Sequence, residues 1–402
     1  MKAFWINRIS EISKNMYRYF GNVWWYSLVH EKNTFKSRSF HNFSKRIKPN
    51  NKAIRILSIL RGVKKYYSFV YRYLKSDKNI TKVIKKEVIV SYGENHLKRL
   101  EETYEYSIVV IPTKNNYKEL RKTNIIIDDF IRVSDFLIVA KKYFITLLRF
   151  LIDHSMFYYE REDYWRSFAG DILVEGLFFE RMFFNLKKGS KIEKIIYVYE
   201  GHAWEKALCF VFKEEEKIAI MQSAPGENML HYYYTKEELE LMPAPDRFGV
   251  CGKIAYKKMY EVYGEKVFIV GNLREFNLSY MQCGDEIIEI ILVLLTPVRE
   301  MNLEIIDWVK ENRKGESVIV IAHKDDNREY EYQEWISPYD LLAYAKEVIT
   351  FSSGFAIEAE VIGISVVIPE LKSFIDMRVF GIGEDFNKHY STFTDKQIRE
   401  MI

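Results

Sequence analysis

Cysteine is scarce: Cys209, Cys251 and Cys283 are the only three in 402 residues. An odd number without CxxC spacing excludes a disulfide framework and a zinc ribbon, so a reducing, cytoplasmic compartment is expected. Glycine and proline together number only 26, too few for a fibrous or low-complexity chain. No stretch reaches the roughly 18 uncharged apolar residues of a spanning helix. The start, Met1 to Phe20, sets charges among Trp5, Ile6, Ile9, Ile12 and Met16 rather than forming the apolar region of a signal peptide. A soluble or peripheral chain is expected. Several chemical signatures are missing as well. Gly381-Ile382-Gly383 is followed by Glu384 and lacks the third glycine of a dinucleotide fingerprint, and there is no Walker A sequence, GxSxG elbow, HExxH or Asp-x-Asp. Hydride, ATP and zinc mechanisms lose their support.

Acid is scarce in one region only. Residues 1–90 hold 21 Lys/Arg against 4 Asp/Glu, a balance of +17, while the rest of the chain carries −13. The amino-terminal quarter is thus a cationic module, in which a helix with Trp5, Ile9, Ile12, Met16 and Phe20 on one face precedes Trp24-Trp25-Tyr26 and a basic polar stretch from Lys32 to Lys48. Its tryptophans either fill a core or sit at the interface of an anionic membrane. What the chain has in abundance is apolar bulk: 48% hydrophobic residues, with 29 Tyr, 27 Phe and 7 Trp, suit a globular protein of two domains.

Short β-like runs at Ala53 to Ile59, Glu87 to Ser91 and Tyr106 to Ile111 precede a long amphipathic helix around Phe136 to Ile152. Further strands are expected at Ile195 to Tyr199, Lys217 to Gln222, Arg247 to Cys251, Lys266 to Val270, Glu289 to Leu295, Ser317 to Ala322, Glu347 to Phe351 and Ser365 to Ile368. Helices are expected from Ala203 and over Lys253 to Tyr263. Strand and helix in alternation imply parallel sheets of the α/β class. A domain boundary is placed between Gly271 and Glu286, giving domains 1–278 and 279–402, and the helix near Asp395 is expected to cross back to the first. Many strands end in small or polar residues, where an open α/β sheet holds its ligands.

Three of those strand ends carry chemistry. Tyr199-Glu200-Gly201-His202-Ala203-Trp204-Glu205 sets a carboxylate beside a glycine that lets a ligand approach, a place for a general base; a helix cap or an ion pair is the plainer use of such an acid. His323-Lys324 offers two donors to a phosphate oxygen, or simply a surface loop. Ser352-Ser353-Gly354, with Glu358 beyond, opens a helix and can hold an anion, or merely cap that helix.

In this order the three sets resemble bacterial sialyltransferases and Kdo transferases of the GT-B fold, which carry an acidic-Gly motif, a His-Pro motif and a later Ser/Thr pair. Ser352 through Val367 is similar to the broader GT-B pattern of serine pair, Glu-Ala helix, glycine and strand. Phe248 to Gly252 with Val267 to Asn272 looks like the last strand and interdomain loop of such enzymes, and Trp24-Trp25 and Lys32-Asn33 resemble surface-carbohydrate biosynthesis proteins. Lys324 stands where the family has Pro, and Tyr199 where a second acid is usual.

The resemblance implies a GT-B fold, two Rossmann-like α/β domains facing across a cleft. It implies a metal-independent glycosyltransferase without cofactor, taking a CMP-activated ulosonic acid such as Kdo or a sialic acid to a glycan or glycoconjugate acceptor; the same fold also takes UDP- or GDP-sugars. Glu200 is then the base, with Glu205 or an acid of Glu160 to Asp163 as alternatives, and Gly201, His202, Gln222 and Ser223 lie on the acceptor side. Gly271, Asn272, His323, Lys324, Ser352, Ser353, Gly354 and Glu358 bind the donor, and peripheral contact with an anionic membrane is expected. A nucleic-acid-binding protein or a non-catalytic scaffold are the rival classes; the first is motivated by the basic segment with its interleaved aromatics, but no nucleic-acid motif accompanies it.

Overall fold

A computed structural model describes residues 2–21, 25–26, 51–77, 83–92, 100, 106–112, 117–152, 165, 167–221, 229–271, 273, 289–296, 298–323, 329–334, 336–342, 344–351, 353, 355–361, 363–372 and 395–402. In chain order the elements are α1 (Lys2–Phe20), α2 (Asn51–Lys75), β1 (Glu87–Tyr92), β2 (Ser107–Ile111), α3 (Tyr117–Thr123), β3 (Ile125–Ile126), α4 (Val133–Ile152), α5 (Asp171–Lys188), β4 (Lys194–Val198), α6 (Ala203–Val211), β5 (Glu216–Met221), α7 (Lys236–Leu241), β6 (Arg247–Val250), α8 (Lys253–Tyr263) and β7 (Val267–Ile269). The second half contributes β8 (Ile290–Leu294), α9 (Arg299–Asn312), β9 (Val318–Ile321), α10 (Pro338–Leu342), β10 (Ala345–Thr350), α11 (Phe355–Val361) and β11 (Ser365–Val367), followed by α12 (Asp395–Met401).

Two parallel sheets result. The first has the order β3-β2-β1-β4-β5-β6-β7 and the second β11-β10-β8-β9, as expected of an α/β chain with two Rossmann-like halves. Both faces of each sheet are covered, which explains why the strands read as continuous apolar runs. In β4, Ile195 and Tyr197 enter one core while Ile196 and Val198 enter the other. In β8, Ile291 and Val293 pack with Met301, Ile305 and Val309 of α9, and Leu292 and Leu294 pack with Leu342, Phe355 and Ala359.

The expected boundary near residue 278 lies outside the described residues. Two contacts join the sequence on its far side to the first sheet. Ile357 of α11 belongs to the core cluster of the first half. Ile398 and Ile402, in and just after α12, pack with Ile89, Ile196 and Ile220, and Arg247 donates to the carbonyls of Met401 and Ile402.

One expectation is corrected and one alternative decided. Ala53 to Ile59 is no strand but part of α2, because its apolar spacing continues at helical intervals through Leu74. Gly62 does not break the helix: a Cβ there would stand 2.8 Å from the carbonyl oxygen of Ala169, so the glycine permits close approach. Trp25 is core, 1% exposed, with its ring 5.8 Å from that of Tyr17, and so cannot sit at a lipid interface. Trp24 and the side chain of Trp5 lie outside the described residues.

Buried charge ties α2 to the sheet. Asp128, fully buried just after β3, accepts from Arg72 Nε at 2.8 Å and from Arg72 Nη2, and Tyr117 donates its hydroxyl at 2.6 Å. Burial tends to lower the Arg72 pKa, but the Asp128 carboxylate more than offsets this and raises it.

Candidate functional site

In a parallel sheet the crevice for a ligand opens where successive connections leave in opposite directions, beyond the carboxyl ends of the two central strands. The first sheet grows from β1 through β2 to β3, then restarts at β4 on the other side of β1, so its switch point lies between β1 and β4. Glu200 stands two residues past the end of β4. The second sheet grows from β8 to β9 and restarts at β10, so its switch point lies between β8 and β10. Thr350 ends β10, and Ser353 follows three residues later. Two of the three sets of polar residues singled out in the sequence therefore stand at switch points.

The loop after β4 is built around Glu205. Gly201 takes φ 78°, a left-handed conformation that turns the chain out of the strand and is costly for any residue with a Cβ. Glu205, third residue of α6 and fully buried, then reaches back: its carboxylate accepts the N–H of Glu200 at 2.9 Å and of Gly201 at 3.0 Å. This is the carboxylate half of a capping box, displaced by one and two residues toward the strand. Burial pushes the Glu205 carboxyl up to about 7, against the opposing pull of His202, the backbone N–H groups and Lys206. With both oxygens turned onto the loop, Glu205 positions its neighbour and is not placed to serve as the alternative base.

Glu200 is left as the carboxylate that faces outward. Its side chain is 32% exposed, and Oε2 lies 3.3 Å from Nε2 of His202, itself 36% exposed. Behind them Glu175 of α5 pairs with Lys65 of α2 at 2.9 Å. Burial opposes ionisation of Glu175, but Lys65 first, then His202 and Arg72, hold its carboxyl below the usual range. The loop thus presents a half-buried acid–imidazole pair backed by the Lys65–Glu175 ion pair.

On the second sheet His323 lies two residues past β9 and is half-buried. Ser353 Oγ accepts the N–H of Phe355 at 3.2 Å, so it caps α11, while its own O–H remains able to donate. Glu358 is buried on α11. Thr350, not among the site residues expected from sequence, has a buried hydroxyl without a hydrogen-bond partner among the described residues. β8 separates β9 from β10, so the backbone ends bearing His323 and Ser353 stand two strand spacings apart, about 10 Å. A ligand wider than one phosphate oxygen is needed to touch both.

Gly271, with φ 82°, turns the chain after β7. Gln222, Ser223, Asn272, Lys324, Ser352 and Gly354 lie outside the described residues, as do Glu160 to Asp163. Among the described residues no three His, Cys, Asp or Glu side chains gather as a metal ion would require.

No family model matches the chain, and no curated protein sequence does. Solved structures do align with it. The UDP-GlcNAc 2-epimerase of Methanocaldococcus jannaschii in complex with UDP-GlcNAc and UDP is 11% identical, covering 70% of this chain and 83% of that one at a TM-score of 0.41. The calicheamicin glycosyltransferase CalG4 is 10% identical, covering 71% and 79% at 0.41, and MurG of Acinetobacter baumannii is 11% identical, covering 79% and 89% at 0.37. At such scores neither the fold nor any residue's role rests on these pairings; the fold rests on the two strand orders.

Proposed function

We propose that the protein is a glycosyltransferase of the GT-B type, with the acceptor at the switch point of the first sheet and a nucleotide-sugar donor at that of the second. The observation that carries this reading is the coincidence of chemistry and topology: a half-buried, outward-facing carboxylate on one crevice and a helix-capping hydroxyl on the other, each at the strand end where its sheet opens.

In this reading Glu200 removes the proton from an acceptor hydroxyl as that oxygen attacks the anomeric carbon. The bond from that carbon to the nucleotide's phosphate breaks, and its electron pair leaves with the phosphate. His323 and the hydroxyl of Ser353, across some 10 Å, hold the nucleotide and meet the charge as it develops. Glu205 keeps the Glu200 loop in place, and His202 orients the carboxylate. No metal enters these steps.

For the donor we favour a CMP-activated ulosonic acid. Its leaving group is a monophosphate, which a few neutral and cationic donors can stabilise, and the three motifs of the sequence resemble enzymes of that class. A UDP- or GDP-sugar suits the same crevice. The acceptor is a glycan or glycoconjugate, reached at an anionic membrane surface. A donor panel separates these readings: transfer from a CMP-sugar alone supports the specific proposal, transfer from a UDP- or GDP-sugar alone replaces the donor and keeps the reaction class, and donor binding without any transfer replaces the enzyme with a binding protein.

A further inference from the structure

We infer that the outer face of α2 and α4 is a docking surface for an anionic lipid bilayer. This deepens the proposed reading, on whose anionic membrane surface it rests, by naming the face that meets it.

Both helices lie on α5. Phe69 of α2 stacks on Phe178 at 4.3 Å between centroids, and Asp135 of α4 accepts from Arg181 Nε at 2.8 Å. They also touch each other in antiparallel register. Gly62 of α2 lies against the Tyr143 hydroxyl of α4, and further along α2 the Tyr66 hydroxyl donates to the carbonyl of Phe136 at 3.0 Å. The faces turned away from α5 therefore lie side by side.

Those outward faces are apolar. On α2, Ile56, Leu60, Val63, Tyr67, Tyr71 and Leu74 are 42–72% exposed; at 3.6 residues per turn they share an arc of about 80°. On α4, Val133, Leu137, Phe144, Leu148 and Leu151 are 48–75% exposed and share an arc of about 60°. Of the 24 exposed large apolar side chains among the described residues, 14 belong to these two helices. An ordinary helix presents charge on the face opposite its core, so a doubled apolar stripe marks an interaction surface.

Charge selects the partner. The sequence of α2 has seven Lys/Arg and no acid, and that of α4 has three Lys/Arg with Asp135 alone, which is buried. Arg61, Lys64 and Lys75 of α2 and Lys141 and Arg149 of α4 are exposed beside the stripes. At the end where α2 leaves and α4 begins, a cavity of about 950 Å³ is lined by Lys85, Arg132, Lys188 and Lys191, with Asp129 as an acid that Arg121 already pairs. A second copy would bring the same cations against each other, and of the acids described near them Asp129 and Asp135 are already paired, with Arg121 and Arg181. Apolar side chains rimmed by cations fit the interface of a bilayer carrying anionic headgroups, the two signals that stable peripheral binding needs. No described helix is long and apolar enough to cross the membrane. Because Lys65 on the same α2 pairs with Glu175, which senses His202, the docked helices back onto the loop that carries Glu200.

The test uses the full chain without any sugar donor, so its outcome is separate from that of the transfer assay. Co-sedimentation is measured with vesicles of phosphatidylcholine alone and of phosphatidylcholine mixed with phosphatidylglycerol, for wild type and for the double variant Leu60→Glu/Leu148→Glu. Both positions are exposed, so folding, checked by circular dichroism and melting, is retained. The expected result is binding to the mixed vesicles only, weakened by salt, and reduced in the variant by about tenfold or more for each leucine that no longer enters the lipid. Undiminished binding by the folded variant, equal binding to neutral vesicles, or no binding by wild type overturns the inference. So does a wild-type dimer, seen by sedimentation velocity, that the double variant dissociates while vesicle binding is absent, since that would make the face a contact between copies.

Discussion

Replacing Glu205 by Gln isolates the group that holds the Glu200 loop. In the wild type one buried carboxylate accepts two backbone N–H groups; in Glu205→Gln the amide oxygen accepts one and the amide nitrogen faces the other. An N–H left unsatisfied in the interior costs about 1–3 kcal/mol. Protonation adds a pH dependence of known sign. The folded carboxyl is raised from 4.5 to about 7, chiefly by burial, so the folded state holds its proton more tightly than the unfolded chain does. Stability from this source is complete below the unfolded pKa and is lost as pH rises to the folded value, about 3 kcal/mol in all at 1.36 kcal/mol per unit. Gln does not titrate. The variant should therefore be less stable than wild type at about pH 4.5, and the two should converge or cross by about pH 7.5. Urea unfolding at a series of pH values measures this on the transition that melts the first sheet, since a two-domain chain need not melt in one step. A difference between wild type and variant that stays constant across that window would refute the assignment of the raised pKa to Glu205.

Arg72→Met strands Asp128 as a buried charge with, among the described residues, the Tyr117 hydroxyl left to donate to it, and should cost about 3–5 kcal/mol in thermal or urea unfolding; a loss below about 1 kcal/mol would mean that this ion pair behaves like a surface one. His323→Ala should fold normally and lose roughly 10²–10³ in kcat, with a smaller change in donor affinity, because a preorganised donor acts most strongly on charge that develops at the transition state. Near-normal turnover would remove His323 from the donor site.

How far the sequence revealed the fold depended on which elements have a distinctive period. The strands were legible because each is a short apolar run ending in small or polar residues, and β1, β4, β6 and β8 fall within one or two residues of expectation. α5 carries little helical signature because it is buried nearly all round, with Leu173, Phe178, Phe179, Met182 and Phe183 spread about its axis. At the start of α2, apolar residues at 53, 54, 56, 57 and 59 suit a strand as well as a helix, and only the continuation to Leu74 decides.

At the candidate site, the strand-end acid and glycine were legible, but the division of labour between two carboxylates five residues apart was not. Glu200 turns outward and Glu205 inward because Gly201 reverses the chain and α6 begins at Ala203. The signal that was available is the acidic residue at the third position of the helix, the mark of a capping carboxylate. Thr350 gave no such sign, since a threonine ending a strand is commonplace until its buried hydroxyl is seen without a partner. The exposed stripes of α2 and α4 were hidden for another reason: sequence shows that a helix has two apolar faces, not which of them the core takes.

The most direct test of the central claim is nucleotide release from a panel of CMP-, UDP- and GDP-sugars in the presence of glycan acceptors, for wild type and Glu200→Gln, with nucleotide binding measured alongside. Release from one donor class by wild type, reduced by roughly 10²–10⁴ in Glu200→Gln while that nucleotide binds as before, is the predicted result. Release by Glu200→Gln at the wild-type rate, or none from any donor with wild type, would contradict it.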